Sequence, residues 1–180
     1  MVIEDTIIAQ PPNVFTESEI QDLLAMVRAG EEVGRVVLEQ NARNAQCLVF
    51  ARKGSCLVGV AALKNPQASY RQTIKTKARV AVEAQDFPFE LGYIFVRPTA
   101  RLQGLAKRLY LAALASANGK GVFATTRTTN DGMNALLPML SFTKTGNSYG
   151  SVRDGHQLQL FVRRAAQPSD TADAPRAARR

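Results

Sequence analysis

No apolar run in this 180-residue chain reaches the roughly 18 residues that a membrane span needs, so no transmembrane segment is expected. The start, MVIEDTIIAQPPN, lacks a basic region leading into an apolar core and lacks a small-residue cleavage site. No secretory leader is expected there, and a cytoplasmic location follows. Cysteine is scarce: Cys47 and Cys56 lie in apolar stretches without CxxC spacing, which suits reduced, buried thiols better than a disulfide or a metal site. The single histidine, His156, falls at a strand start beyond a turn, a place for a surface or structural role. Neither GxGxxG nor GK[ST] occurs, which removes the Rossmann and P-loop ways of holding a nucleotide.

The most informative absence is of acid. Between Glu39 and Glu83 stand Arg43, Arg52, Lys53, Lys64, Arg71, Lys75, Lys77 and Arg79 without one carboxylate, and between Glu90 and Asp131 stand Arg97, Arg101, Lys107, Arg108, Lys120 and Arg127. Such blocks concentrate anionic ligands, whether a nucleotide cofactor or a nucleic acid, although ordinary solvated charge accounts for many single lysines. Of the net charge of +8, the tail contributes three, because Arg163, Arg164, Arg176, Arg179 and Arg180 outnumber Asp170 and Asp173. A hydrophobic content of 46% is enough for one ordinary core. We therefore expect one domain over 1–164 and a disordered basic tail over 165–180, where Ala, Pro, Arg and Asp mix without periodicity.

Along the chain, residues 1–9 read as an edge strand closed by Pro11 and Pro12, and Thr16 with Glu19 has capping-box spacing before the apolar face of Ile20, Leu23, Leu24 and Val27. Gly30 ends that helix, and 33–39 is either a short helix or a loop. Residues 46–51 and 56–63 form a hairpin. Residues 67–88 are expected to be a long connection, with a strand admitted in the alternating 78–84. A central strand over 89–96, a helix over 104–117 with Leu105, Leu109, Ala112 and Ser116 inward, and a strand over 122–126 follow. The next helix is capped at Asn130 and is expected to split at Pro138 after about one and a half turns. Strands at 144–148 and 156–162 close the order, with Asp154 and Gly155 in the turn between them. It gives an α/β chain, an α+β mixed sheet with helices on both faces.

At the centre, an apolar strand stops at Arg97-Pro98 and passes through a short basic loop with Arg101 and Gly104 into a helix. Amides of a helix's first turn have no partner within the helix and favour phosphate, and glycine lets a ligand approach the main chain closely.

Val96 and Pro98, followed by Arg101, Gly104 and Ala106, and set in this element order, resemble the GNAT superfamily of acyl-CoA-dependent N-acetyltransferases over about 16–162. The resemblance implies a GNAT-like sheet and transfer of an acetyl group from acetyl-CoA, the cosubstrate, to an amine by direct attack in a ternary complex. It implies that the backbone of Ile94, Phe95 and Val96 pairs with the pantetheine arm. The loop amides over Arg101, Leu102, Gln103, Gly104, Leu105, Ala106 and Lys107 would bind the pyrophosphate, with Leu102 where the family's second glycine usually stands. Lys107 and Arg108 either assist with phosphate or face solvent. Asn130, twelve residues before Phe142, is a cofactor contact or a helix cap. Glu90 takes the position of a catalytic base in histone-acetylating relatives, or offsets a neighbouring cation; Glu83 is the lesser candidate. Leu137 stands where many relatives have a proton-donating Tyr, and Ser141 where they have Gly, which leaves Tyr149 and Tyr110 as unanchored alternatives for the acid. The acceptor stays open. Partners admitted are RNA, through residues 64–79 and the tail in the manner of aminoacyl-tRNA-acetylating toxins, and a second copy in a homodimer. A catalytically weak acyl-CoA-binding module is the remaining alternative.

Overall fold

Thr16 and Glu19 form the reciprocal cap that their spacing predicts: Glu19 N–H donates to Thr16 Oγ1 at 3.3 Å, and Thr16 N–H donates to Glu19 Oε2 at 3.0 Å. Helix α1 (Glu17–Gly30) begins there and buries Ile20, Leu23, Leu24 and Val27. The computed structural model describes residues 5–30, 35–151 and 155–166. Helix α2 (Arg35–Arg43) shows that the ambiguous 33–39 stretch is helical from residue 35, residues 33 and 34 lying outside the described ones. Arg43 braces it against α1, with Nη2 at 2.7 Å from Glu17 and 2.8 Å from Glu39.

Among the described residues, seven strands form one sheet in the order β1-β2-β3-β4-β5-β7-β6. They are β1 (Asp5–Gln10), β2 (Cys47–Lys53), β3 (Cys56–Lys64), β4 (Phe89–Val96), β5 (Val122–Arg127), β6 (Thr143–Gly150) and β7 (Gln157–Arg163). Neighbours are antiparallel except β4 and β5, so the sheet is mixed, as expected. Strand alternation sends Cys47, Val49 and Ala51 to a core under α4 (Leu105–Ala115) and Leu48 and Phe50 to a core under α1 and α2. The inward residues of α4 are Leu105, Leu109, Tyr110, Ala113 and Leu114, a face turned slightly from the expected one that included Ala112 and Ser116.

Two expectations need correction. Residues 67–88 are not a plain connection: Ala68–Ala78 form helix α3, and 78–84 contain no strand. Tyr70, Ile74 and Ala78, four apart, all pack into a third core with Phe123 and Leu160. That stripe is short and set among polar and β-branched residues, so tertiary burial stabilises a helix that propensity alone leaves marginal. Nor does Pro138 split α5 (Asp131–Met139), which runs unbroken; Pro138 falls in its final turn, where the helix is about to end. The disorder expected from 165 onward falls outside the described residues, apart from 165 and 166, where Ala166 N–H bonds to the Gly119 carbonyl at 2.9 Å. Asp154 of the expected final turn also lies outside them. No helix among the described residues is long and apolar enough to cross a membrane.

The segment from α3 to β4 is tied by one side chain. Arg71 donates through Nη1 to the carbonyls of Val82 (2.6 Å) and Phe87 (2.8 Å) and through Nη2 to that of Pro88 (2.9 Å), while its guanidinium lies 5.5 Å from the Phe123 ring centroid. Removing it leaves three part-buried carbonyls unpaired. Arg71→Met should lower stability by roughly 3 kcal/mol, read as a fall in Tm of about 6–12 °C by circular dichroism; an unchanged Tm would show that the segment holds itself.

Candidate active site

Strand β4 changes character half-way along. It pairs with β3 as Ala62↔Gly92, then as Val60↔Phe95 and Gly59↔Val96, so Tyr93 and Ile94 together face Ala61. That is a β-bulge, and Tyr93 takes φ +53°, a left-handed conformation that a bulky residue adopts only under constraint. On its other side, among the described residues, β4 pairs with β5 at only two positions, Phe89↔Val122 and Glu90↔Phe123. Beyond Glu90 the strands part, and a cleft of about 980 Å³ opens, lined among others by Ile94, Phe95, Val96, Arg101 and Asn130.

At the end of β4 the chain makes a 3-10 turn at Pro98–Ala100 and reaches Arg101, whose Nε donates to the Val96 carbonyl at 3.0 Å and whose guanidinium lies 5.9 Å from the Phe95 ring. The loop is thereby fastened to the strand it follows. Gly104 caps α4 with φ +71°, and a Cβ built there would meet nothing within 4 Å, so the space in front of the helix start is open. Arg108 N–H bonds back to the Gly104 carbonyl at 3.2 Å; the amides before it belong to the first turn, which the helix itself leaves unpaired. Leu102 occupies φ +61° with its side chain fully exposed. This explains why a glycine suits the position, since the left-handed region costs a side-chain-bearing residue about 1–2 kcal/mol. Ser141, at φ +64°, shows the same backbone demand.

The structure thus brings Glu90, Ile94, Phe95, Val96, Arg101 and Asn130 together around the cleft, while 102–107 continue from Arg101 without lining it by side chain. Gln103 turns its amide to the Thr99 carbonyl at 3.4 Å, Leu105 is buried in the core, Ala106 is half-buried, and Lys107 is exposed. Their main chain is what the start of α4 offers to a ligand, and the exposed Lys107 stands one turn further on. Asn130 Oδ1 accepts from Met133 N–H at 3.1 Å and so performs the capping role.

Glu90 is 4% exposed and heavily partnered. Its Oε2 lies 2.9 Å from Lys64 Nζ, and its Oε1 accepts from Tyr70 Oη at 3.1 Å and from Thr125 Oγ1 at 3.3 Å. The cation-offsetting role holds in geometry, though in mid-sheet rather than at an edge, since Lys64 and Glu90 are cross-strand partners. Lys64 Nζ also stands 4.5 Å from the Tyr93 ring centroid. Burial, then the charge of Glu90, raises the Tyr70 phenol well above its ordinary value, and the same two causes raise that of Tyr149. Both stay protonated over the working pH range.

Lys64, Tyr70 and Thr125 were not singled out from sequence as partners of Glu90. Tyr149, raised only as an unanchored alternative, lines the cleft, and so does Tyr110. Leu137 lines it too and is fully buried. Glu83 pairs instead with Lys75 at 3.4 Å on the surface, and His156 is exposed and is not among the residues that line the cleft. Much of the basic 64–79 block is engaged within the fold: Lys64 with Glu90, Arg71 with three carbonyls, Lys75 with Glu83, and Lys77 with the Gly150 carbonyl at 3.0 Å. Among the described residues, no cluster of His, Cys, Asp or Glu has the grouping to hold a metal ion.

No curated protein matches the sequence. The fold is similar to that of the ribosomal-protein-S18-alanine N-acetyltransferase from Escherichia coli, with a TM-score of 0.65 at 12% identity over 95% of this chain and 100% of that one. It is likewise similar to Arabidopsis thaliana NAA60 in complex with acetyl-CoA (0.65, 17%, 88% and 99%) and to an acyl-CoA N-acyltransferase from Pseudomonas aeruginosa (0.64, 16%, 89% and 99%). At such identities the likeness is one of fold. The sequence model of the acetyltransferase (GNAT) family matches residues 15–142, from the residue before the cap of α1 to the residue after Ser141, and takes in the bulged strand, the arginine loop and α4. On that match the chain belongs to the acetyltransferase (GNAT) family.

Proposed function

We propose that the protein transfers an acetyl group from acetyl-CoA to an amine nitrogen in a ternary complex. The observation that carries this reading is the parting of β4 from β5 beyond Glu90, directly before the arginine-bearing loop that opens α4. Main-chain groups of Ile94, Phe95 and Val96 on the parted edge take the amides of the pantetheine arm as an added strand would. The first-turn amides over 103–107 hold the pyrophosphate, with Arg101 beside them. The amine attacks the thioester carbon, the C–N bond forms as the C–S bond breaks, and CoA leaves as thiolate and takes up a proton. Thioester polarisation by fixed backbone donors supplies much of the rate. Glu90 is the base: a carboxylate has about four lone-pair sites, and its three donors among the described residues leave one to receive the amine's proton, directly or through water.

Two measurements test this. Gly104→Glu puts bulk and negative charge into the open space before α4 and should abolish acetyl-CoA binding by calorimetry; unchanged affinity would sink the pyrophosphate assignment. Glu90→Gln should lower kcat by about 100-fold while leaving CoA affinity in place, and full activity in a folded variant would remove Glu90 from the chemistry.

A further inference from the structure

The cleft has two unlike walls, one on each face of the sheet. On the face under α3 stand Glu90, Tyr70 and Thr125, polar and joined by hydrogen bonds. On the opposite face it is lined by aliphatic and aromatic side chains: Ile94 of β4, Ala124 of β5, Tyr110 of α4, and Met133 and Leu137 of α5. All five belong to the core under α4 or pack against it. Strand alternation places Ala124 there, since Phe123 and Thr125 on either side of it turn to α3. The bulge does the same for Ile94. With two residues of β4 against one of β3 the alternation shifts by one, so Ile94 and Val96 follow Leu91 onto this face while Tyr93 and Phe95 turn to the other. Met133 and Leu137, four apart, make one ridge of α5.

The place of this recess along the cleft indicates what would fill it. With the pyrophosphate at the start of α4 and the pantetheine arm beside 94–96, the thioester comes to where β4 and β5 part. The last pair there is Glu90↔Phe123, and Ala124 is the next residue of β5. Beside the thioester, on the face away from Glu90, the cleft therefore meets a single methyl group. Behind it are Leu137 and Tyr110, both buried, and the half-buried Ile94 and Met133. A hydrocarbon chain gains by leaving water for such a surface, whereas a polar group loses its hydrogen bonds against aliphatic side chains.

We propose that this recess takes the tail of the transferred acyl group, so that the protein binds and transfers straight-chain acyl groups longer than acetyl. The proposal rests on the acetyl-transfer reading for the position of the thioester. The acyl tail lies on the α4 face, the amine arrives from the α3 face where Glu90 stands, and the carbonyl carbon is between them.

The test needs no acceptor: calorimetry on the full chain compares CoA, acetyl-CoA and butyryl-CoA. Butyryl-CoA should bind about tenfold more tightly than acetyl-CoA, as expected for two methylenes leaving water. Ala124→Leu fills the recess and should cancel that gain while the affinity for CoA itself stays as it was. Should that buried position not tolerate the larger side chain, Met133→Trp narrows the same recess from a half-buried position and should cancel the gain as well. Equal or weaker binding of butyryl-CoA, or a gain that survives the filling of the recess, would overturn the proposal and leave the acetyl-transfer reading standing. Failure of the unaltered chain to bind any of the three would instead remove that reading, and the proposal with it.

Discussion

Two residues of β4, Tyr93 and Ile94, face one residue of β3, and the left-handed turn this imposes on Tyr93 leads the strand away from β5 shortly after their last pair at Glu90 and Phe123. A sheet that stayed paired would have no cleft and no unpaired strand edge for a ligand to join. The bulge costs on the order of 1–2 kcal/mol in backbone strain at a side-chain-bearing residue. It is offset where it arises, because the Tyr93 ring is buried in the core under α1 and α2 and Lys64 lies over it. Local strain and local burial thus fix the position at which the sheet opens.

The second constraint is the carboxylate of Glu90. An ionised group this buried is tolerated only when its oxygens are paired and hydrogen-bonded. Lys64 from β3, Thr125 from β5 and Tyr70 from α3 meet that need, so three elements converge on one side chain. Helix α3 is central to both sides of this balance: Arg71 fastens the segment that follows it, while Tyr70 and Lys77 face the cleft. The element that completes the fold around Glu90 also lines the cleft.

The strand, loop and α4 were legible because their signals are local: an apolar run ending at Arg97-Pro98, then Arg101 and Gly104 before Leu105 and Leu109, both buried as the helical spacing implies. The capping box at Thr16 and Glu19 was legible for the same reason. Helix α3 was hidden because its three inward residues, Ile74 and Ala78 buried and Tyr70 partly so, sit in a polar, basic sequence whose composition suggests a loop, and its burial depends on Phe123 and Leu160 far along the chain. The strand partners of Glu90, Lys64 and Thr125, follow from register, which needs the pairing of Lys64 with Glu90 and of Glu90 with Phe123, while Tyr70 comes from the packing of α3. Tyr149 could be assigned a face only once β6 was paired with β7 at the outer end of the sheet. The basic block over 64–79 reads in sequence as one concentration of charge, whereas in the fold Lys64, Arg71, Lys75 and Lys77 serve separate local partners.

The central claim is that the parted edge of β4 and the start of α4 hold one cosubstrate together. Amide hydrogen exchange with and without acetyl-CoA tests it most directly, since an unpaired main-chain N–H exchanges quickly until a ligand bonds it. The account predicts slowed exchange over both 94–96 and 103–107 on addition of acetyl-CoA; saturating binding with no protection at either segment would contradict it.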